Sequence, residues 1–392
     1  MNTLQKQLWL LGLMRVVRMF MITMPIIVIY WQSHGLTVKD IFVLQVIFSI
    51  ALVVLEIPSG YLADRLGNKN VIVFGSVTGI LGYFLYWLIP SYAGFVAAEL
   101  MLALSVSLMS GSRDALLHDT LSAHSVESDY TKYHGRFNAW GQVSEASAAI
   151  LAGLIASSVS LSAVLAIQTL VLTLTVPIAF CLHSYQGNNR ESDSLATIVR
   201  YCFVGNPRLL WLNLMTGAVG AATLTMVWFV QPHWKSLGVD LLYFGFFWAG
   251  LNFVVALGSV LAARIQRLIR FRVLFGLIAV APLLLYAGMA LLANSMVAVV
   301  FVSLFWLLRG IVMPIISDYV QREATQRNRA TVLSANSLMI RLVFSVTSPF
   351  VGWVTDVYSF QMAFAASAIV FGFIAVLAFT NWLFHIETTA TT

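Results

Sequence analysis

Apolar residues run through this chain in long stretches interrupted by short polar breaks. The hydrocarbon core of a bilayer takes about 20 helical residues to cross. Stretches of that size recur at Leu8 to Trp31, Ile41 to Tyr61, Val71 to Ile89, Gly94 to Leu117, Arg136 to Ser158, Leu161 to His183, Arg208 to Val230, Leu241 to Ala263, Val273 to Ala293, Met296 to Asp318, Thr331 to Val354 and Phe360 to Phe384. The pattern predicts an all-α membrane protein with twelve transmembrane helices. Turn residues are sparse at two breaks, near Ser160 and Ser295, where consecutive spans nearly touch.

Composition agrees with the pattern. The 392 residues are 60% hydrophobic and 10% charged, against about half and a quarter in soluble domains. Basic residues then orient the spans, because loops rich in Lys and Arg stay in the cytoplasm. With the N-terminus inside, the cytoplasmic segments carry fifteen Lys and Arg, four of them in the run Arg264, Arg267, Arg270 and Arg272, while the opposite side carries Lys39 and Lys235. Both termini are therefore expected in the cytoplasm of an inner-membrane protein. The net charge of +6 is a product of this topology, and no nucleic-acid partner is expected. Met1 to Gln7 leads into an apolar stretch too long for a signal-peptide core and is read as the start of an uncleaved first span. Cys181 and Cys202 both fall on the cytoplasmic side, where a disulfide is not expected.

One long polar connection divides the chain. It holds Gln186 to Asp193 and an amphipathic stretch around Ile198 to Val204. The expected organisation is a six-helix bundle over residues 1–183, a cytoplasmic linker over 184–207, and a second six-helix bundle over 208–392. A constant offset of 199 pairs Leu62, Ala63 and Arg65 with Leu261, Ala262 and Arg264, Gly111 with Gly310, Asp119 with Asp318, and Gly153 with Gly352. Identities at matching helix ends are what a six-helix pseudo-repeat retains.

Between the second and third spans the chain reads Gly60, Tyr61, Leu62, Ala63, Asp64, Arg65, Leu66, Gly67, Asn68, Lys69. A glycine at position 60 permits close helix approach, and Gly67 suits a tight turn. Asp64 is suited to accept hydrogen bonds at the positive N-terminal end of a helix. The segment resembles the signature loop of the major facilitator superfamily: a glycine, an Asp-Arg pair, then Gly and two basic residues. Asn68 departs from it, standing where the family usually has Arg, and the second copy is degenerate, with Ala263 at the place of Asp64. The resemblance implies the twelve-helix, two-bundle fold of that superfamily, with Asp64 latching the cytoplasmic side against the eleventh helix. It also implies that Arg113, Asp114 and Asp119 join the cytoplasmic gate formed by Gly60, Asp64, Arg65, Gly67 and Lys69, with Arg136 at the same face. The runs Glu56 to Gly60 and Arg329 to Ser334 look like those of a bacterial efflux-type subgroup.

Ionisable groups deep in a membrane are costly and are read as functional candidates. At about 1.5 Å of rise per residue, Arg18, Glu145, Arg309 and Arg341 all fall roughly 14 to 15 Å from the cytoplasmic ends of their helices, and Glu56 about 12 Å from Asp64. Two readings stand. Arg18, Arg309 and Arg341 contact an anionic group of a substrate, since guanidinium suits carboxylate and phosphate, or they form structural ion pairs with the two acids. Glu56 and Glu145 are the candidate proton-coupling residues, because a buried carboxylate beside a rearranging arginine can bind and release a proton. Asn213 and Trp228 complete the candidate substrate-binding set. Arg15 and Glu99 lie nearer span ends, where snorkelling suffices.

No phosphate-binding loop, metal-spaced His and Cys cluster or hydrolytic triad is present, so neither an enzyme nor a cofactor is expected. The leading reading is a monomeric secondary active transporter working by alternating access, with proton-coupled export of a drug, siderophore or organic anion. Proton-coupled uptake of a small anionic metabolite is the alternative, and a non-transporting receptor on the same fold a third. The fifth span lacks the Gly-Pro signature of many drug and proton exchangers, with no Pro from Gly141 through Gly153.

Overall fold

The structure, a computed structural model, describes residues 3–185, 205–323 and 329–390. Most of the expected 184–207 linker, with its amphipathic stretch and Cys202, lies outside the described residues. The described chain is helical throughout. Its elements are α1 (Thr3–Met19), α2 (Ile27–Ser33), α3 (Val38–Leu66), α4 (Asn68–Leu88), α5 (Tyr92–Ser122), α6 (Tyr130–Ser158), α7 (Leu161–Thr173), α8 (Thr175–Cys181), α9 (Pro207–Ser236), α10 (Leu241–Leu268), α11 (Phe271–Leu292), α12 (Val297–Phe301), α13 (Ser303–Glu323), α14 (Arg329–Val357) and α15 (Phe360–Ala390).

Among the described residues, ten helical stretches are long and apolar enough to cross a membrane: those of α3, α4, α5, α7 with α8, α9, α10, α11, α12 with α13, α14 and α15. Two of the twelve expected spans do not meet that standard. The first, read as continuous from Leu8 to Trp31, is broken between Met19 and Ile27. Pro25 accounts for the break, since it lacks an N–H and disfavours helical geometry at Met24. The fifth, α6, is too polar, carrying Lys132, Arg136, Asn138, Gln142 and Glu145. The two tight hairpins are made by serine: Ser160 Oγ accepts from the Ala163 N–H at 3.0 Å, and Ser295 Oγ from the Val297 N–H at 3.2 Å. Both satisfy donors that a helix start leaves open. Large apolar side chains such as Val143, Leu170, Phe253, Val260 and Leu291 point outward, as lipid-facing positions do.

The helices assort into two compact units. One comprises Met1–His34, Ile47–Ser192 and Asp240–Ala249. Within it α4 lies along α5 and α7, and α1 along α6 and α8, around a core that includes Leu11, Met14, Ile72, Met109, Leu116 and Ala179. The Gln7 side chain ties the two ends of this bundle together. Its Nε2 donates to the His183 carbonyl at 3.0 Å, and its Oε1 accepts from the His183 N–H at 2.8 Å. The first residues of α10 pack on α6 through bare backbone: a Cβ on Gly153 would overlap the Leu242 carbonyl, and one on Gly245 the Ala149 carbonyl.

The other unit comprises Gly35–Val46, Asp193–Val239 and Gly250–Thr392. There α15 lies along α11 and α9, and α9 along α14. Aromatic edges fill the seams, with Phe229 5.4 Å from Phe364 and 5.0 Å from Phe42 between ring centres. Polar groups within these seams bond to backbone: Tyr286 Oη donates to the Ala222 carbonyl at 2.8 Å, and His233 Nε2 lies 2.8 Å from the Ala293 carbonyl oxygen. Gly258 and Gly310 let α10 meet α13, and Gly352 lets α14 meet Lys39 and Phe42 at the start of α3. Gly153 and Gly352, separated by the offset of 199, thus take the same task, each receiving the first turns of another helix.

That start of α3 is capped twice. Thr37 and Asp40 form a reciprocal capping pair, with Thr37 N–H to Asp40 Oδ2 at 3.0 Å and Asp40 N–H to Thr37 Oγ1 at 3.2 Å. Asp356, from α14, takes the next two donors, the Val38 N–H at 3.0 Å and the Lys39 N–H at 2.8 Å. Asp356→Ala is expected to lower stability by about 1 kcal/mol, the usual value of a helix cap. Asp356→Asn should retain part of it, and thermal unfolding of the purified protein in detergent distinguishes the two.

Candidate functional site

The most elaborate polar arrangement lies inside the first unit, between α1, α4 and α5. Helix α4 carries glycine at 75 and 79, and α5 approaches it there. A Cβ on Gly75 would strike Met109, and one on Gly79 would meet Ser105 and come within 3.2 Å of Arg18 Nη1. The space left by Gly79 is occupied by the Arg18 guanidinium. Its Nη1 donates to Ser105 Oγ at 2.8 Å, and that hydroxyl donates onward to the Gly75 carbonyl at 2.5 Å. Among the described residues no carboxylate lies within ion-pair distance of Arg18, so its recorded partner is a neutral hydroxyl.

Two tyrosines extend this arrangement along α4. Tyr83 shares a side-chain hydrogen bond with Thr23, in the break between α1 and α2, and lies within electrostatic reach of both Arg18 and Glu99. Tyr86 Oη donates to Glu99 Oε1 at 2.6 Å, and Tyr30 Oη donates to the Tyr86 carbonyl at 2.9 Å. Glu99 is 4% exposed. Snorkelling, the expectation for Glu99, therefore does not describe it. Tyr86, Tyr83 and Ser105 are the polar residues that sequence reasoning passed over, and Glu99 is the one it assigned to the interface. The available signal was an acid with tyrosines three residues apart on the preceding helix, and it identifies a pair only once the rotation of the two helices is known.

A second polar group joins α1, α5 and α6. Arg15 Nη2 donates to Asn138 Oδ1 at 2.9 Å, and Asn138 Nδ2 lies 3.3 Å from His134 Nδ1. Arg113 Nε is 3.7 Å from Asp114 Oδ1. These side chains, with Leu11, Leu117 and Phe137, surround a small cavity. Nearby, Asn68 Nδ2 donates to Asp119 Oδ2 at 3.2 Å, and His118 Nδ1 is 3.9 Å from the same carboxylate. A neutral amide thus holds Asp119 at the position where the resemblance implies an arginine. In the signature loop Gly67 adopts φ +80°, the left-handed region. Arg65 lies over the Tyr61 ring at 4.6 Å, and Arg136 over Trp140 at 4.7 Å. Asp64 is exposed and Lys69 half-buried. Among the described residues nothing stands within 4 Å of where a Gly60 Cβ would be.

The remaining candidates are dispersed within their units. Glu56 is exposed, its carbonyl accepting from Ser59 Oγ at 2.9 Å. Glu145 is half-buried on α6, within electrostatic reach of Arg15. In the second unit Asn213 is buried on α9 with its Nδ2 lacking a hydrogen-bond partner among the described residues. One turn on, Thr216 Oγ1 accepts from Asn336 Nδ2. Trp228 is half-buried on α9, Arg341 half-buried on α14, and Arg309 exposed on α13.

Comparison with known proteins adds the lineage. A family profile described as Major Facilitator Superfamily matches residues 8–348. A search of curated protein sequences finds no match. Among solved structures, the nucleoside transporter NupG, in a point-mutant form, superposes with a TM-score of 0.80 at 15% identity, covering 97% of this chain and 99% of that one. A bacterial homologue of the human lysosomal transporter Spinster, inward-facing and unoccupied, superposes with a TM-score of 0.74 at 14% identity, covering 98% and 97%. At such identities the likeness is one of fold.

The Arg15 and Asn138 contact yields a direct expectation. Asn138→Leu removes the acceptor of a charged donor inside the bundle and is expected to cost about 2 kcal/mol. Asn138→Asp, which keeps an acceptor, should be milder in thermal unfolding.

Proposed function

We propose that this chain, which belongs to the major facilitator superfamily, is a proton-coupled transporter for the uptake of a small anionic metabolite. The chain is a multi-pass membrane protein and a secondary active transporter that moves a small molecule by alternating access; it is not an enzyme. In the proposal, residues 1–183 and 208–392 are the two alternating bundles, 184–207 joins them in the cytoplasm, both termini are cytoplasmic, and the protein works as a monomer in the inner membrane.

Arg18 carries the anionic part of the reading. It is a guanidinium inside a membrane bundle whose hydrogen bond goes to a serine hydroxyl, and a neutral partner leaves the positive charge for a ligand to balance. This favours the substrate-contact reading of Arg18 over the structural ion pair. Asn213, buried with an unused donor, supports a polar contact, and Arg309, Arg341 and Trp228 complete the proposed set. In the same scheme Glu56 and Glu145 are coupling residues. The proposed cytoplasmic gate comprises Gly60, Asp64, Arg65, Gly67, Lys69, Arg113, Asp114, Asp119 and Arg136. Uptake is favoured over drug export by the proline-free course of α6 from Gly141 through Gly153. That a nucleoside transporter is among the similar folds supports the choice of small polar metabolites as cargo.

The test is transport by purified protein in liposomes under an imposed pH gradient, with a radiolabelled panel of nucleosides, nucleotides and small carboxylic acids. Accumulation driven by protons moving inward is expected, with loss of at least tenfold in Arg18→Gln. Transport of neutral amphipaths against inward proton flow would establish export instead, and full activity in Arg18→Gln would remove the anion contact.

A further inference from the structure

We propose that Glu99 is a proton-binding site of the first unit, at which the carboxyl alternates between a protonated form and a carboxylate held by Tyr86. The inference deepens the proton-coupled reading above and rests on it for its place in the cycle, though not for the binding event itself.

The geometry carries the assignment. Glu99 lies eight residues into α5, about 12 Å along the helix from its Ser91 cap at 1.5 Å per residue. It is almost wholly enclosed, and the Tyr86 hydroxyl donates to it at 2.6 Å, the short range of a bond to a charged acceptor. An enclosed carboxylate is far costlier than the protonated acid, which buries like any neutral hydrogen-bonding group. A glutamine in the same place could accept the Tyr86 hydrogen bond but could not gain or lose a proton, so it serves as the control.

Its surroundings give that proton a consequence. One turn towards the helix start, Phe95 packs on Tyr86 at 5.7 Å, Tyr30 at 5.9 Å and His34 at 6.0 Å. His34 is exposed, and its Nδ1 lies 2.8 Å from the Tyr30 carbonyl oxygen. Phe95 thus lies between the Tyr86 ring and the exposed His34 side chain. Tyr86 and Tyr83 of α4 face Glu99, with Tyr30 and His34 of α2 behind Phe95 and Arg18 of α1 on the far side of Tyr83. Arg15 and Arg113 lie towards the other end of α5. Tyr83 stands within reach of both Glu99 and Arg18. A proton added at Glu99 therefore changes the field at the guanidinium proposed to hold the substrate anion. The step is a simple transfer: hydronium gives its proton to a Glu99 carboxylate oxygen, leaving water, while Tyr86 keeps its own.

Infrared difference spectroscopy of the protein in liposomes, stepped between acidic and alkaline buffer, reads the event without any substrate. A protonated-carboxyl C=O band is expected in the wild type and absent from Glu99→Gln. In Tyr86→Phe the band should move to the higher frequency of a carboxyl with one hydrogen bond fewer, which keeps the test open if the first variant folds poorly. A band unchanged in both variants overturns the assignment, whatever the transport panel shows. Failure of proton-driven uptake with the Glu99 band intact removes the coupling scheme and leaves the proton site standing.

Discussion

Backbone laid against backbone is the contact on which the rest of this structure depends. In lipid, apolar side chains gain little by leaving their surroundings, so helices associate through close packing and buried hydrogen bonds. At Gly153 with Gly245, at Gly258 with Gly310, and at Gly352 with the first turn of α3, the absence of a Cβ admits the neighbouring helix to van der Waals distance of the main chain. The same device at Gly75 and Gly79 brings α5 onto α4 and leaves the volume that Arg18 fills. Fold and candidate site thus share one origin: where the glycines fall decides which polar side chains can reach each other.

Much of the fold was legible in one dimension. Whether a segment can span a membrane depends on its apolar length, and α3, α4, α5, α9, α10, α11 and α15 begin and end near the breaks in hydropathy. The interruption between α1 and α2 was missed because an apolar run hides a backbone fault; Pro25 was the visible sign of it. The fifth expected span met the opposite difficulty, since its polar residues dilute an otherwise helical stretch. Serine settled the two tight hairpins because one hydroxyl suffices to cap a helix that starts at once.

The site was legible as depth and illegible as partnership. Counting residues placed Arg18 inside the bundle, but its partner Ser105 belongs to α5 and is reached only through the gap at Gly79. Glu99 shows the same limit from the other side. Its distance from the span end suggested an interfacial acid, whereas its true environment follows from the face of α5 it occupies, opposite Tyr86. Depth is a property of sequence position; facing is a property of how two helices are rotated. The residues of the signature loop, by contrast, were recognisable as a string because their spacing is local, from Gly60 to Lys69.

The paired hydrogen bonds between Gln7 and His183 make a ring of the kind that joins neighbouring strands in a sheet, with an amide side chain in the role of one strand. Helix α1 is thus buckled to the residue that follows the α8 cap. Its opening residues therefore help to hold the end of α8 in place. For handling the protein this is a practical matter: a trimmed amino terminus that loses Gln7 unfastens the bundle at its clasp.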